Sequence, residues 1–158
     1  MKSVGEVMAI GRTFKESFQK AIRSLEIGHA GLESPALPPG EAGEKALWNM
    51  IDKPRPGRPW AIAEAFRRGI TVQEIFDRSK IDPWFLENLK EIVDTERSLQ
   101  AATPGDRVAW LRPAKQMGFA DARLAALWGM REERVRRIPY CCRTKFHRIP
   151  YCCRTKFH

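Results

Sequence analysis

The constraint that most limits this chain lies in residues 1–26, MKSVGEVMAIGRTFKESFQKAIRSLE. Glu6-Val7-Met8-Ala9-Ile10 is a short apolar run between Gly5 and Gly11. Such a run, bounded by glycines, predicts a buried strand. Thr13 and Glu16 then form the Thr-x-x-Glu pattern of a capping box, in which each side chain satisfies a free donor at a helix start. Phe14, Phe18, Ala21, Ile22 and Leu25 recur at helical spacing, so one face of the following helix is apolar. A strand–turn–helix needs a sheet to join, and residues 27–158 offer no second convincing strand. The run is therefore expected to belong to a domain whose bulk lies outside the chain. With that sheet missing, its apolar faces are expected to fray or to dock on other surface.

The far end needs separate treatment. Residues 137–147 read RIPYCCRTKFH, and residues 148–158 repeat them without a change. Solenoid units are longer and diverge, so this is not repeat architecture. It reads as a duplicated, frame-shifted or cloning-derived tail, with no expected part in the fold. The tail carries six of the nine net positive charges, leaving +3 for residues 1–136. The basic pI is then weak evidence for nucleic-acid binding by the body. All four cysteines, both tyrosines, His147 and His158 also lie in the tail, so cysteine usage implies no disulfide framework for the body. No apolar run is long enough for a membrane span. No basic-then-apolar signal opens the chain. The expected setting is soluble and cytoplasmic.

Between these ends the sequence reads as helices and breakers. Residues 27–43 are rich in Gly and Pro and predict a linker. A short helix is expected over 41–51. Pro59 suits a first helical turn and Gly69 a C-terminal stop. Thr71 and Glu74 form a second capping box, for a helix through Phe76. Asp82-Pro83 opens the longest helix, to about residue 100, with Phe85, Leu86, Leu89, Ile92 and Val93 inward. A break at 103–105 precedes helix over 107–117, with a kink expected at Pro113. Two last helices, over 121–128 and 131–136, flank Gly129. About 110 residues of helical body can bury one modest core.

The residues that carry chemistry are sparse. There is no phosphate-binding GxxxxGK[ST] loop and no GxGxxG; Gly5 and Gly11 punctuate a strand, and Lys2 and Ser3 read as solvated terminal residues. His29 sits in the Gly/Pro linker without a nucleophile or orienting acid beside it, so no covalent catalysis is implied. Cys141, Cys142, His147, Cys152, Cys153 and His158 offer zinc-type donors. Structural sites, however, space their cysteines by two to four residues, and adjacent cysteines diverge. Asp121–Arg137 also reads as helix–turn–helix, with Arg131, Arg134, Arg136 and Arg137 placed to meet phosphates. Glu132 and Glu133 oppose that reading and equally suit a helix N-terminus. Five tryptophans spread over 48–128 are either core residues or an exposed set at a subunit contact, where Trp and Arg are enriched. The helices carrying Trp60 and Phe66, and Trp84, Phe85 and Leu89, are the candidate association surface.

Three blocks carry a family resemblance. Residues 1–26 resemble the end of the first ATP-grasp half of the large subunit of carbamoyl-phosphate synthetases. Trp60-Ala61-Ile62-Ala63-Glu64-Ala65-Phe66-Arg67-Arg68-Gly69, then Ile81-Asp82-Pro83-Trp84-Phe85-Leu86, resemble that family's "IAEAFRRG…ID.WFL" block. Gly118-Phe119-Ala120-Asp121-Ala122-Arg123-Leu124-Ala125 resembles its "GFADARLA" block. The blocks occur in the family's order. The resemblance implies an all-α, irregular multi-helix oligomerisation domain over 44–136, preceded by a strand–helix remnant of the carboxyphosphate domain over 1–26 and a linker over 27–43, and followed by the 137–158 tail. It implies a parent ligase that uses ATP with Mg or Mn to make carbamoyl phosphate. The family's ATP- and metal-holding residues lie upstream of Met1, so no cofactor and no catalysis are expected of this chain alone. Self-association, or contact with other parts of the large subunit, is the expected partnership; the family's glutaminase subunit is a further partner.

Overall fold

A computed structural model describes residues 7–138. Eight helices follow one another: α1 Phe14–Ser24, α2 Gly40–Asp52, α3 Arg58–Arg67, α4 Val72–Ser79, α5 Pro83–Ala101, α6 Arg107–Gln116, α7 Asp121–Trp128 and α8 Glu132–Arg137. No strand occurs among the described residues, so the fold is all-α.

The organising element is α5. Leu86, Leu89, Ile92, Val93, Glu96 and Leu99 recur at three- and four-residue steps and are buried. That stripe faces α1, α3, α4, α6 and α7, while α2 covers α3 and α4, and α8 closes on α7. The core joins Leu47 and Ile51 of α2, most of α3 from Trp60 to Phe66, Ile75 of α4, Leu111 and Ala114 of α6, and Leu124 and Trp128 of α7. Leu32, in the Gly/Pro-rich stretch before α2, is fully buried with them.

Local chemistry explains the helix starts. The Thr71–Glu74 capping box closes in both directions at α4. Asp82 Oδ1 accepts from the Trp84 amide at 2.8 Å, and Pro83 fits the first turn of α5. At α1, Thr13 Oγ1 accepts from the Glu16 amide at 3.2 Å, but Glu16 Oε2 reaches back to the Arg12 amide, at 2.8 Å. The reciprocal bond thus falls one residue outside the expected box. α6 runs through Pro113 as one helical element.

The strand expected over 6–10 requires correction. Residues 7–10 are not a strand, and Val7, Met8 and Ile10 are exposed. A strand needs a ladder partner, and the described residues hold none. The helix after it docks firmly. Ile22 enters the core, and the buried Gln19 amide donates to Met117 O at 3.0 Å. Arg23 donates to Gly118 O at 3.0 Å. Gly118 lies at φ +95°, and a Cβ there would stand 3.0 Å from the Glu16 backbone. The α6–α7 turn can approach α1 this closely only with glycine.

Candidate association face and buried ion hub

The Asp82 cap fixes the first turn of α5 and sets Trp84 and Phe85 beside, not on, its buried stripe. Both are exposed, although Phe85 reads from the sequence as inward. α1 crosses next to them. Phe14 lies 5.2 Å from Trp84 and 5.4 Å from Phe85, edge-on to each, and Trp84 and Phe85 are 4.9 Å apart at 85°. Phe18 stacks on Phe14 at 5.4 Å. Edge-to-face contacts of this kind add about 0.5–1.5 kcal/mol beyond area burial. An ion pair between Lys15 and Glu91 ties the same two helices together. The result is a half-exposed aromatic quartet shared by α1 and α5.

The other three candidates lie elsewhere. Trp60, Phe66 and Leu89 are core residues, so none of them offers free surface. The Trp60 indole donates to Gly31 O at 3.0 Å, which pins residues 29–32 over α3. Phe14 and Phe18 were missed as surface because their spacing reads as a face for a sheet. The signal that finds them is geometric: α1 docks on the α5 end that carries Trp84. Trp48, half-buried, has the Arg78 guanidinium 4.3 Å over its ring.

The second feature is charged and internal. Glu96 sits on the apolar stripe of α5 with its side chain only 3% exposed. Arg67 of α3 donates to Glu96 Oε2 at 2.7 Å, and Arg123 of α7 donates to Oε1 at 2.8 Å. Both guanidinium groups also reach Leu32 O. Arg97 donates to the Phe66 and Arg67 carbonyls at 2.9 and 2.7 Å. One carboxylate thus joins three helices and the 29–33 segment. Taking one partner from such a cluster leaves a buried charge uncompensated.

The chemically suggestive residues of the sequence resolve differently. His29 Nδ1 lies 3.1 Å from Glu33 Oε2, and its ring stands 4.9 Å from Trp60. An apolar groove of about 340 Å³ opens beside them, lined by Ile27, Pro35, Met50, Pro56 and Trp60 among others. Lys2, Ser3, Gly5 and the Cys141–His158 donors lie outside the described residues. Among the described residues no cluster of metal ligands occurs, and no helix is long and apolar enough to cross a membrane. In the helix–turn–helix stretch α8 spans six residues. Arg123 turns inward to Glu96, and Arg136 pairs with Glu132 and Asp121. Titration follows local bonds. The Lys20 ammonium, then burial opposing it, then the Arg12 amide, leave Glu16 below the ordinary carboxylate value. Burial pulls Arg23 down against the pull of Asp121, and the Thr71 hydroxyl lowers Glu74.

An all-α body built on one central helix is the class this architecture defines. The chain belongs to the family described as carbamoyl-phosphate synthetase large chain, oligomerisation domain, whose sequence model matches residues 6–142. That match continues into the first copy of the terminal repeat. The carbamoyl phosphate synthase large chain of Myxococcus xanthus is 50% identical over 139 residues, covering 86% of this chain and 13% of the relative. That of Brucella melitensis is 47% identical over 140 residues, covering 87% and 12%. The Aquifex aeolicus protein named as the N-terminal section of the large chain is 48% identical over 138 residues, covering 87% and 24%. The chain thus spans a quarter or less of these relatives. Neither the family nor the charge pairing in α7 and α8 supports the nucleic-acid reading.

Proposed function

We propose that this chain is a structural module that associates through the aromatic face of α1 and α5 and does no chemistry alone. The observation that carries the reading is the exposure of Trp84 and Phe85 at the start of α5, braced by Phe14. Large aromatics gathered on one face are the residues that supply binding energy at protein contacts. A second copy of the chain is the proposed occupant, with other parts of the large subunit as the wider setting. In that setting the relatives' full-length enzyme makes carbamoyl phosphate from bicarbonate, glutamine or ammonia and ATP, for arginine and pyrimidine synthesis. Residues 1–26 would join this body to an ATP-grasp half, residues 27–43 would lead into the helices of 44–136, and the residues past the family match, 143–158, would be an appended tail. A cytoplasmic setting belongs to the same proposal.

The test is the mass of the full chain in solution against concentration, under reducing conditions. Self-association that weakens about 30-fold in the Trp84→Ser/Phe85→Ser double variant is the expected result, the scale of about 2 kcal/mol at an interface centre. Association unchanged by that variant would move the contact elsewhere. A titration with Mg-ATP that shows saturable binding would overturn the non-catalytic half of the reading.

A further inference from the structure

Charged side chains border the aromatic face of α1 and α5, and most are matched within the chain. Lys15 of α1 pairs with Glu91 of α5, and Lys90 pairs with Asp94 at 2.7 Å. Glu16 is used at both oxygens: Oε1 accepts from Lys20 at 2.7 Å and Oε2 from the Arg12 amide at 2.8 Å. Two exposed side chains are left over. The Arg12 guanidinium, two residues before Phe14, and the Glu87 carboxylate, one helical turn past Trp84, form no ion pair among the described residues. Arg12 stands at the α1 margin of the face, where exposed Met8 and Ile10 lead into it. Glu87 stands at the α5 margin, since positions three apart on a helix are neighbours. The neighbouring cations that could neutralise Glu87, Lys15 and Lys90, each have another acid.

A two-fold contact uses the same patch on both copies, so residue i of one meets residue j of the other, and j meets i. Such a face is self-complementary only if opposite charges lie on its two sides. One unmatched cation at the α1 margin and one unmatched anion at the α5 margin meet that condition. Resting on the self-association reading above, we propose that the second copy docks about a two-fold axis through the aromatic face, with Arg12 of each copy paired to Glu87 of the other. The aromatic rings supply the affinity, as large rings do at the centre of a contact. The two rim pairs fix the orientation and reject partners that lack the matching charges. A head-to-tail contact would join only one such pair and leave free ends that continue the assembly. The two-fold contact closes as a dimer.

The test reverses the charges in the full chain, under reducing conditions and at low salt, where screening is weakest. Arg12→Glu sets acid against acid twice across the axis, and Glu87→Arg sets cation against cation. Each variant alone should self-associate about tenfold more weakly than the parent, the scale of two exposed pairs lost and two repulsions gained. Mixed in equal amounts, the two variants place acid against cation at both positions, and the mixture should associate as the parent does. A pair made within one chain is not restored by mixing. A mixture no tighter than its components therefore overturns the proposal, as does a single reversal that associates like the parent. Arg12→Gln adds no acid beside Glu16 and should weaken association about threefold; no weakening overturns the pairing even where Arg12→Glu unsettles α1. Failure of the underlying reading looks different: the parent is then monomeric, or Trp84→Ser/Phe85→Ser leaves its assembly intact. Assembly that needs Trp84 and Phe85 but ignores both charge reversals keeps the face and overturns the two-fold pairing.

Discussion

Trp60 and Phe66 on α3, and Trp84 and Phe85 on α5, make similar sequence patterns with opposite fates. The first pair is 6% and 3% exposed, the second 52% and 44%. The cause is what surrounds each helix. α3 is closed in by α2, by α5 and by the 29–33 segment, which Trp60 itself holds through Gly31. Trp84 and Phe85 lie beside the buried stripe of α5, and Phe14 of α1 covers only part of their two rings. Aromatic content thus marks both a core and an exposed face. The side of the helix on which each ring falls separates the two. Burial makes α3 a matter of stability, and exposure leaves the α5 aromatics free for a partner.

Variants should split along that line. The largest effect is expected at the hub behind α3. Glu96→Ala leaves the Arg67 and Arg123 guanidinium groups with only the longer contacts to Glu64 and Glu33, at 3.7 and 3.8 Å, at a cost of about 3–5 kcal/mol by urea unfolding. Phe66→Ala, which opens a cavity in the same region, should cost about 3–5 kcal/mol by the same measurement. Trp84→Ser and Phe85→Ser, each losing two edge-to-face contacts on a half-exposed ring, should cost less, about 1–2 kcal/mol. If they instead cost as much as Phe66→Ala, the two pairs are both core and the contrast fails. Thr71→Ala, which removes the α4 capping box far from either pair, should cost about 1 kcal/mol.

The smallest effect is electrostatic and sits on α1. Glu16 is held below its ordinary value chiefly by Lys20, so its folded carboxylate is favoured over the unfolded one. Its contribution is fully present above the ordinary carboxylate range and is lost as pH falls through the lowered folded value. Glu16→Gln should lower stability by a constant amount from about pH 6 to 8, with the gap to the parent closing from about pH 5 downward, so that the acid slope flattens. A profile that keeps its acid slope would assign that slope to other carboxylates.

Much of the helical body was legible because its signals are local. Thr71/Glu74, Asp82-Pro83 and the break at 103–105 act within a turn, so they locate α4, α5 and the start of α6 without tertiary knowledge. Residues 7–10 are not the strand expected there because an apolar run bounded by glycines is a strand only when a neighbouring strand supplies hydrogen bonds. Phe85 was misplaced because its position borders the α5 stripe, and only the docking of α1 decides which side it takes. The Glu96 hub was not read from the sequence, since its partners Arg67 and Arg123 come from distant turns of two other helices. The proposed association face was half legible. Trp84 and Phe85 were in view, whereas Phe14 and Phe18 joined them only once α1 had a place to lie.

The most direct test of the association face is the solution mass of the full chain across a hundredfold range of concentration, with reductant present to keep the tail cysteines apart. Parent chain that grows from monomer to dimer or larger, and a Trp84→Ser/Phe85→Ser variant that stays monomeric with an unchanged helical spectrum, is the outcome this account predicts. A parent that remains monomeric throughout, or a double variant that assembles as well as the parent, would contradict it.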